Sequence, residues 1–174
     1  MPTASPNIVT RPLLPGDKGV EQTVYHMSRL ARRDVDNNIV KFYVKKFKQR
    51  DDIDTVYAVY NHVYKSFKYV EDPEGIEYVS APVWVIAETV PYRDCDDLTT
   101  FLCCLLMALG FKVCIKTISW DYDRCDGNFC PFTHVYLMVL LEDKYWVPLD
   151  PVKKKDGFGK EHAPIIRMKN WKVN

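Results

Sequence analysis

The stretch from Asp94 to Phe111, Asp-Cys-Asp-Asp-Leu-Thr-Thr-Phe-Leu-Cys-Cys-Leu-Leu-Met-Ala-Leu-Gly-Phe, leaves the chain few ways to fold. Asp94 is a strong helix N-cap, Asp96 and Asp97 complement the positive end of a helix dipole, and Gly110 supplies a left-handed stop. Between those signals Leu98, Phe101, Leu102, Leu105, Leu106, Met107 and Leu109 cover almost the whole circumference. A helix that is apolar all round has to be enclosed by protein. The remainder of the chain must therefore wrap this segment, and Cys95, on its first turn, sits where a buried helix meets a polar opening.

A helix N-terminus offers partial positive charge and free N–H groups, which stabilise a thiolate and can hold a developing oxyanion. Asp94, Asp96 and Asp97 act the other way, because like charges raise a thiol pKa. Cys95 thus needs a positive partner, most simply a histidinium, to serve as a nucleophile at neutral pH.

At 174 residues with 47% hydrophobic content, the chain can fill one core but not two. One domain is expected over 16–174, preceded by an extended, Pro-rich arm over 1–15. The formal charge of +1 gives no support to nucleic-acid binding. No apolar run reaches the roughly 20 residues of a membrane span, and the first residues lack the parts of an export signal, so the expectation is a soluble, cytoplasmic protein with reduced cysteines. Cys103, Cys104 and Cys114 read as small core residues. Cys125 and Cys130 flank a polar loop and could join Cys95 or His134 around zinc, but Cys-x4-Cys is not a close knuckle and no second pair exists. No metal and no cofactor are expected. The acidic run from Asp121 to Asn128 lacks the spacing and terminal Glu of a calcium loop.

Three helices are expected before residue 68. Val20, Val24, Met27, Leu30 and Ala31 form the stripe of the first. Ile39, Val40, Tyr43, Val44 and Phe47 mark the second, with Lys45, Lys46 and Lys48 outward. Ile53, Val56, Tyr60, Val63, Tyr64 and Phe67 mark a third, capped by Asp51 or Asp52. His26 and His62 fall inside these helices and read as structural. Residues 68–82 read as a loop broken by Pro73 and Gly75, and 83–86 as a short helix or strand. Beyond the central helix, Phe111 to Trp120 alternates as a strand with one solvated face, and Thr133 to Leu141 is apolar on both faces, hence central to a sheet. Lys153 to Gly159 reads as a flexible basic loop, after which Ile165, Ile166, Met168 and Trp171 bring the chain back over the domain.

A turn at Glu142, Asp143 and Lys144 joins that strand to Tyr145–Pro151. If Leu141 pairs with Tyr145, Tyr136 lies opposite Asp150, and His134 lies one diagonal step away on the same face. His134 and Asp150 then meet at one sheet edge, where the N-terminus of the central helix would bring Cys95. His162, in the following loop, is a weaker rival to His134 as the base.

Three motifs occur in order: Asp94-Cys95-Asp96-Asp97 opening a helix that ends Ala108-Leu109-Gly110-Phe111; Thr133-His134-Val135; and Tyr145-Trp146-Val147-Pro148-Leu149-Asp150-Pro151. Over roughly Val56 to Val152 the chain resembles the transglutaminase-like superfamily, relatives of papain-like cysteine proteases. The segment Tyr69 to Glu77 with Pro82 is similar to small stand-alone members found in bacteriophages. Residues ahead of Asp51 carry no part of the likeness.

The resemblance implies an α+β fold, with N-terminal helices and a buried central helix packed on an antiparallel sheet. It implies Cys95 as nucleophile, His134 as general base and acid, and Asp150 as the group that orients the imidazole. It also implies an oxyanion donor at the Cys95 N–H, helped by an upstream side chain such as Trp84 or Tyr92, with Asp94 at the cleft. Arg93 departs from the family, which usually has glycine there, and would narrow the approach to Cys95. The expected activity is amide acyl transfer on a protein or peptide through a thioester, with hydrolysis favoured. The other class of reading is a phage structural or virion-associated scaffold that docks on phage proteins.

Overall fold

The computed structural model describes residues 9–12, 16–90, 92–127, 129–152 and 157–173. The helix α5, Cys95–Ala108, lies at its centre. Around it are α1 (Asp17–Asp34), α2 (Asn38–Val44), α3 (Asp52–Ser66) and α4 (Pro82–Ile86) on one side, and β3 (Val113–Ser119) and β4 (His134–Leu141) on the other. Each of these elements touches α5, and Leu98 through Leu106 are buried without interruption. The all-round apolar pattern is thus answered by protein on every side.

The main sheet is antiparallel in the order β5-β4-β3-β6, with β5 at Tyr145–Leu149 and β6 at Arg167–Lys172. Its register follows the turn: Leu141 pairs with Tyr145 and Leu137 with Leu149, so the next pair along the ladder is Tyr136 opposite Asp150. Glu142 and Asp143 both take positive φ, 54° and 50°, the backbone of a tight hairpin whose twist matches its strands. Val135, Leu137 and Val139 turn toward the helices, whereas Tyr136 and Met138 join Ile118 and Cys114 on the opposite face.

The structure departs from the sequence reading in four places. The strand β3 is buried along its entire length, Lys116 included at 5% exposure, instead of having one solvated face. Its second edge is taken by β6, and Lys116 ends on Glu161, which supplies the opposite charge that burial requires. Part of the 68–82 loop is the strand β2 (Ile76–Val79), and it pairs with β1 (Val9–Pro12). That pairing makes four residues of the Pro-rich stretch a strand; most of 1–15, like 153–156 of the basic loop, lies outside the described residues. Ile39 and Ile53 sit on exposed faces at 53% and 54%, because Val40 and Val44, and Val56, Val59 and Val63, already complete the buried stripes. Finally, Cys125 and Cys130 form a disulfide in place of two thiols.

Candidate active site

Asp94 builds the start of α5. Its Oδ1 accepts the Asp96 N–H at 3.1 Å, and Asp97 accepts the Asp94 N–H in return, the reciprocal pair of a capping box. Asp97 also accepts the Ser80 N–H at 2.6 Å, which ties the helix start to the chain ahead of α4. The Thr99 hydroxyl donates to Val135 O at 3.3 Å and anchors the same turn to β4 next to His134. These bonds fix Cys95 against the end of the sheet where His134 begins.

Cys95 and His134 line one cleft of about 480 Å³, together with Tyr69, Glu77, Asp94, Asp96, Thr133 and residues of α1. His134 is buried and its Nε2 lies 2.5 Å from Asp150 Oδ2. Asp150 Oδ1 accepts the Val152 N–H at 2.9 Å, and its carbonyl accepts from the Tyr60 hydroxyl of α3. Burial alone would raise the Asp150 pKa. The hydrogen bonds from His134 and His162, the His134 charge and the Val152 N–H outweigh it and hold the carboxyl below the ordinary range. Asp150 is therefore an anion ready to hold a cationic imidazole.

His162 was the weaker histidine in sequence. In the structure its Nε2 also lies 2.5 Å from Asp150 Oδ2, so two imidazoles share one oxygen. Trp120 packs beside both rings, 4.9 Å from His134 and 5.1 Å from His162 between centroids, and Tyr136 packs against them. The Tyr136 hydroxyl donates to Glu161, the residue next to His162, at 2.8 Å. Residues 157–166 have no periodicity that would place His162 in this partnership. The sole clue was the presence of a histidine near a strand that carries acid and histidine.

The thiol of Cys95 is pushed well above its ordinary pKa, first by burial, then by Asp94, Glu77 and Asp150; the Val135 N–H opposes them. The resting sulfur is therefore a thiol. Burial also drives Asp96 and Asp97 well above the usual carboxylate range, with Asp94 the next cause for each. Asp96 is 2% exposed, and neither of its oxygens meets a hydrogen-bond donor among the described residues. Among the neighbouring charges, Asp94 does most to raise the Cys95 pKa, ahead of Glu77 and Asp150.

The remaining sequence candidates are placed as follows. Asp94 lines the cleft. Trp84 packs against the core, its carbonyl accepting from Thr89, and Tyr92 packs at a tilt on Tyr78 with centroids 4.9 Å apart; neither is among the cleft-lining residues. The Arg93 backbone bridges Val70 and its guanidinium lies 5.8 Å from the Phe67 ring centroid, so it too is absent from the cleft lining. His62 bonds the Tyr43 hydroxyl at 2.6 Å within the helical layer. A larger concavity, about 660 Å³ and lined by Phe111, Cys114, Met138 and Trp146, includes no histidine.

No helix among the described residues is long and apolar enough to cross a membrane. No curated protein matches the chain, and no solved structure does. A family model does match, over residues 41–151, a span that contains α3, α5, the hairpin and the residues Cys95, His134 and Asp150. That model describes the transglutaminase-like superfamily, which includes transglutaminases and cysteine proteases, and it covers well over half of the chain: the protein belongs to the transglutaminase-like superfamily.

Proposed function

We propose that the protein is a cysteine-dependent acyl-transfer enzyme acting on amide bonds of a protein or peptide, with Cys95, His134 and Asp150 as its catalytic triad. The observation that carries this reading is one cleft lined by Cys95 and His134, with His134 hydrogen-bonded behind it to a buried Asp150 anion. Because Nε2 is engaged by Asp150, Nδ1 is the imidazole nitrogen left to serve the thiol.

The resting sulfur is a thiol, its ionisation opposed by burial and then by Asp94. As Sγ attacks the carbonyl carbon, His134 Nδ1 takes the thiol proton, and the imidazolium is stabilised by Asp150. The carbonyl oxygen becomes an oxyanion, for which the Cys95 N–H at the first turn of α5 is the available helix-end donor. Trp84 or Tyr92 would have to turn toward the cleft to add a second donor. Collapse of the adduct breaks the C–N bond, and His134 returns its proton to the departing amine. Water, activated by the same imidazole, then cleaves the thioester and regenerates the thiol. A primary amine in place of water would give transfer instead of hydrolysis.

The test is to incubate the protein with a peptide library and a primary amine and analyse the products by mass spectrometry. Hydrolysed, deamidated or amine-linked peptides should appear with the wild-type chain and vanish with Cys95→Ala and with His134→Ala. Products that persist in Cys95→Ala would refute the assignment.

A further inference from the structure

We propose that His134, His162 and Asp150 form a binding site for a divalent ion of the zinc class, and that its occupancy switches off the base. Nε2 of each histidine lies 2.5 Å from the same Asp150 oxygen, and the three ligand atoms all lie within 4.8 Å of one another. Two imidazole nitrogens and one carboxylate oxygen are the donor set of an open zinc site with a coordination position to spare.

The donors are held in advance of any ion. Asp150 Oδ1 is fixed by the Val152 N–H at 2.9 Å, both rings lie against Trp120 and Tyr136, and all three side chains are buried. Outer partners of this kind orient ligands and tune their affinity. Around a tetrahedral zinc with bonds of about 2.0–2.1 Å, ligand atoms stand about 3.3 Å apart, so each nitrogen needs to retreat from Asp150 by less than about 1 Å. Zinc at Cys125 and Cys130 was set aside on their spacing, and their disulfide removes both thiolates from that role.

Binding has a definite consequence. An imidazole that gives its Nε2 lone pair to a metal carries its proton on Nδ1. His134 Nδ1 then has no lone pair for the Cys95 thiol, so the ion blocks attack and does not assist it. This consequence rests on the acyl-transfer reading, whereas the binding site itself does not.

The test uses the chelator-treated full chain carrying Cys95→Ser, which removes the thiol that lines the cleft with His134. Equilibrium dialysis against Zn²⁺ with elemental analysis should find one ion per chain. Adding His162→Gln should weaken binding at least about 100-fold, the upper end of what loss of a mere outer-shell partner costs. Loading the unsubstituted chain with Co²⁺ gives a readout that no failure of a variant to fold can disturb: its spectrum should show tetrahedral d–d bands without a thiolate charge-transfer band. No stoichiometric ion, unchanged affinity in His162→Gln, or a thiolate band would each overturn the site. With an active preparation, half-inhibition and half-saturation should fall at the same free Zn²⁺ concentration, and a saturated but fully active enzyme would overturn the switch. Stoichiometric binding by a chain without turnover would uphold the site and count against the acyl-transfer reading alone.

Discussion

His162 Nε2 lies 2.5 Å from Asp150 Oδ2, on the oxygen that also meets His134. In the absence of an ion this second imidazole fixes the carboxylate that orients the first. His162→Ala should lower kcat/KM roughly 10- to 100-fold, the scale on which misplacement of a catalytic group acts. His162→Gln retains an N–H donor and should recover part of that loss. A merely structural role would reduce active protein without moving the pH profile, so the check is the pH dependence of kcat/KM in both variants. The basic-group limb should move in His162→Ala.

Asp94 is the strongest charge acting on Cys95, second only to burial among the causes that keep the sulfur protonated. Asn caps a helix as well as Asp does, so Asp94→Asn removes the charge and spares the start of α5. Its loss should lower the thiol pKa, and iodoacetamide should alkylate Cys95 several-fold faster at pH 8 than in the wild type, with no change in far-UV circular dichroism. An unchanged rate would mean that burial alone controls the thiol.

Asp72 gives the clearest pH signature in stability. Burial raises its pKa to about 7 against the opposing Tyr78 N–H, with Asp94 and Glu77 adding to the rise. The folded state therefore binds this proton more tightly than the unfolded chain. The stabilisation is complete below the unfolded value of about 4 and is lost as pH rises through about 7. Asp72→Asn should remove this slope and gain on the wild type between pH 5 and pH 8. Because the residue is only partly buried, the gain should be on the order of 1 kcal/mol. Thermal unfolding at the two pH values measures it.

Leu102 is fully buried in the middle of α5. Leu102→Ala should cost about 2–5 kcal/mol, because the elements packed around α5 leave little room for the site to collapse. Urea unfolding provides the measurement. A cost below about 1 kcal/mol would place the helix nearer a surface than the fold does.

The central helix was legible because capping and periodicity are local: Asp94, Gly110 and an apolar ring define α5 without reference to any neighbour. The hairpin was legible for a similar reason, since one assumption about the turn at Glu142 sets the register and brings His134 near Asp150. What escaped the sequence was set at long range. β3 lost its solvated face because Trp120 and Ile165 pack on the cluster that holds Cys114 and Ile118 and because Glu161 neutralises Lys116, and nothing within 113–119 announces those partners. His162 reaches Asp150 from an irregular segment. The resting thiol was legible in its direction, since acids were seen to oppose ionisation, but burial proved the larger cause.

The central claim is that Cys95 forms a thioester with help from His134. Its most direct test is intact-mass spectrometry of the protein quenched in acid during exposure to the peptide library. One acyl adduct is predicted, mapped to Cys95, released by hydroxylamine and absent from His134→Ala. An unmodified Cys95 beside consumed peptides, or an adduct that forms equally well in His134→Ala, would contradict it.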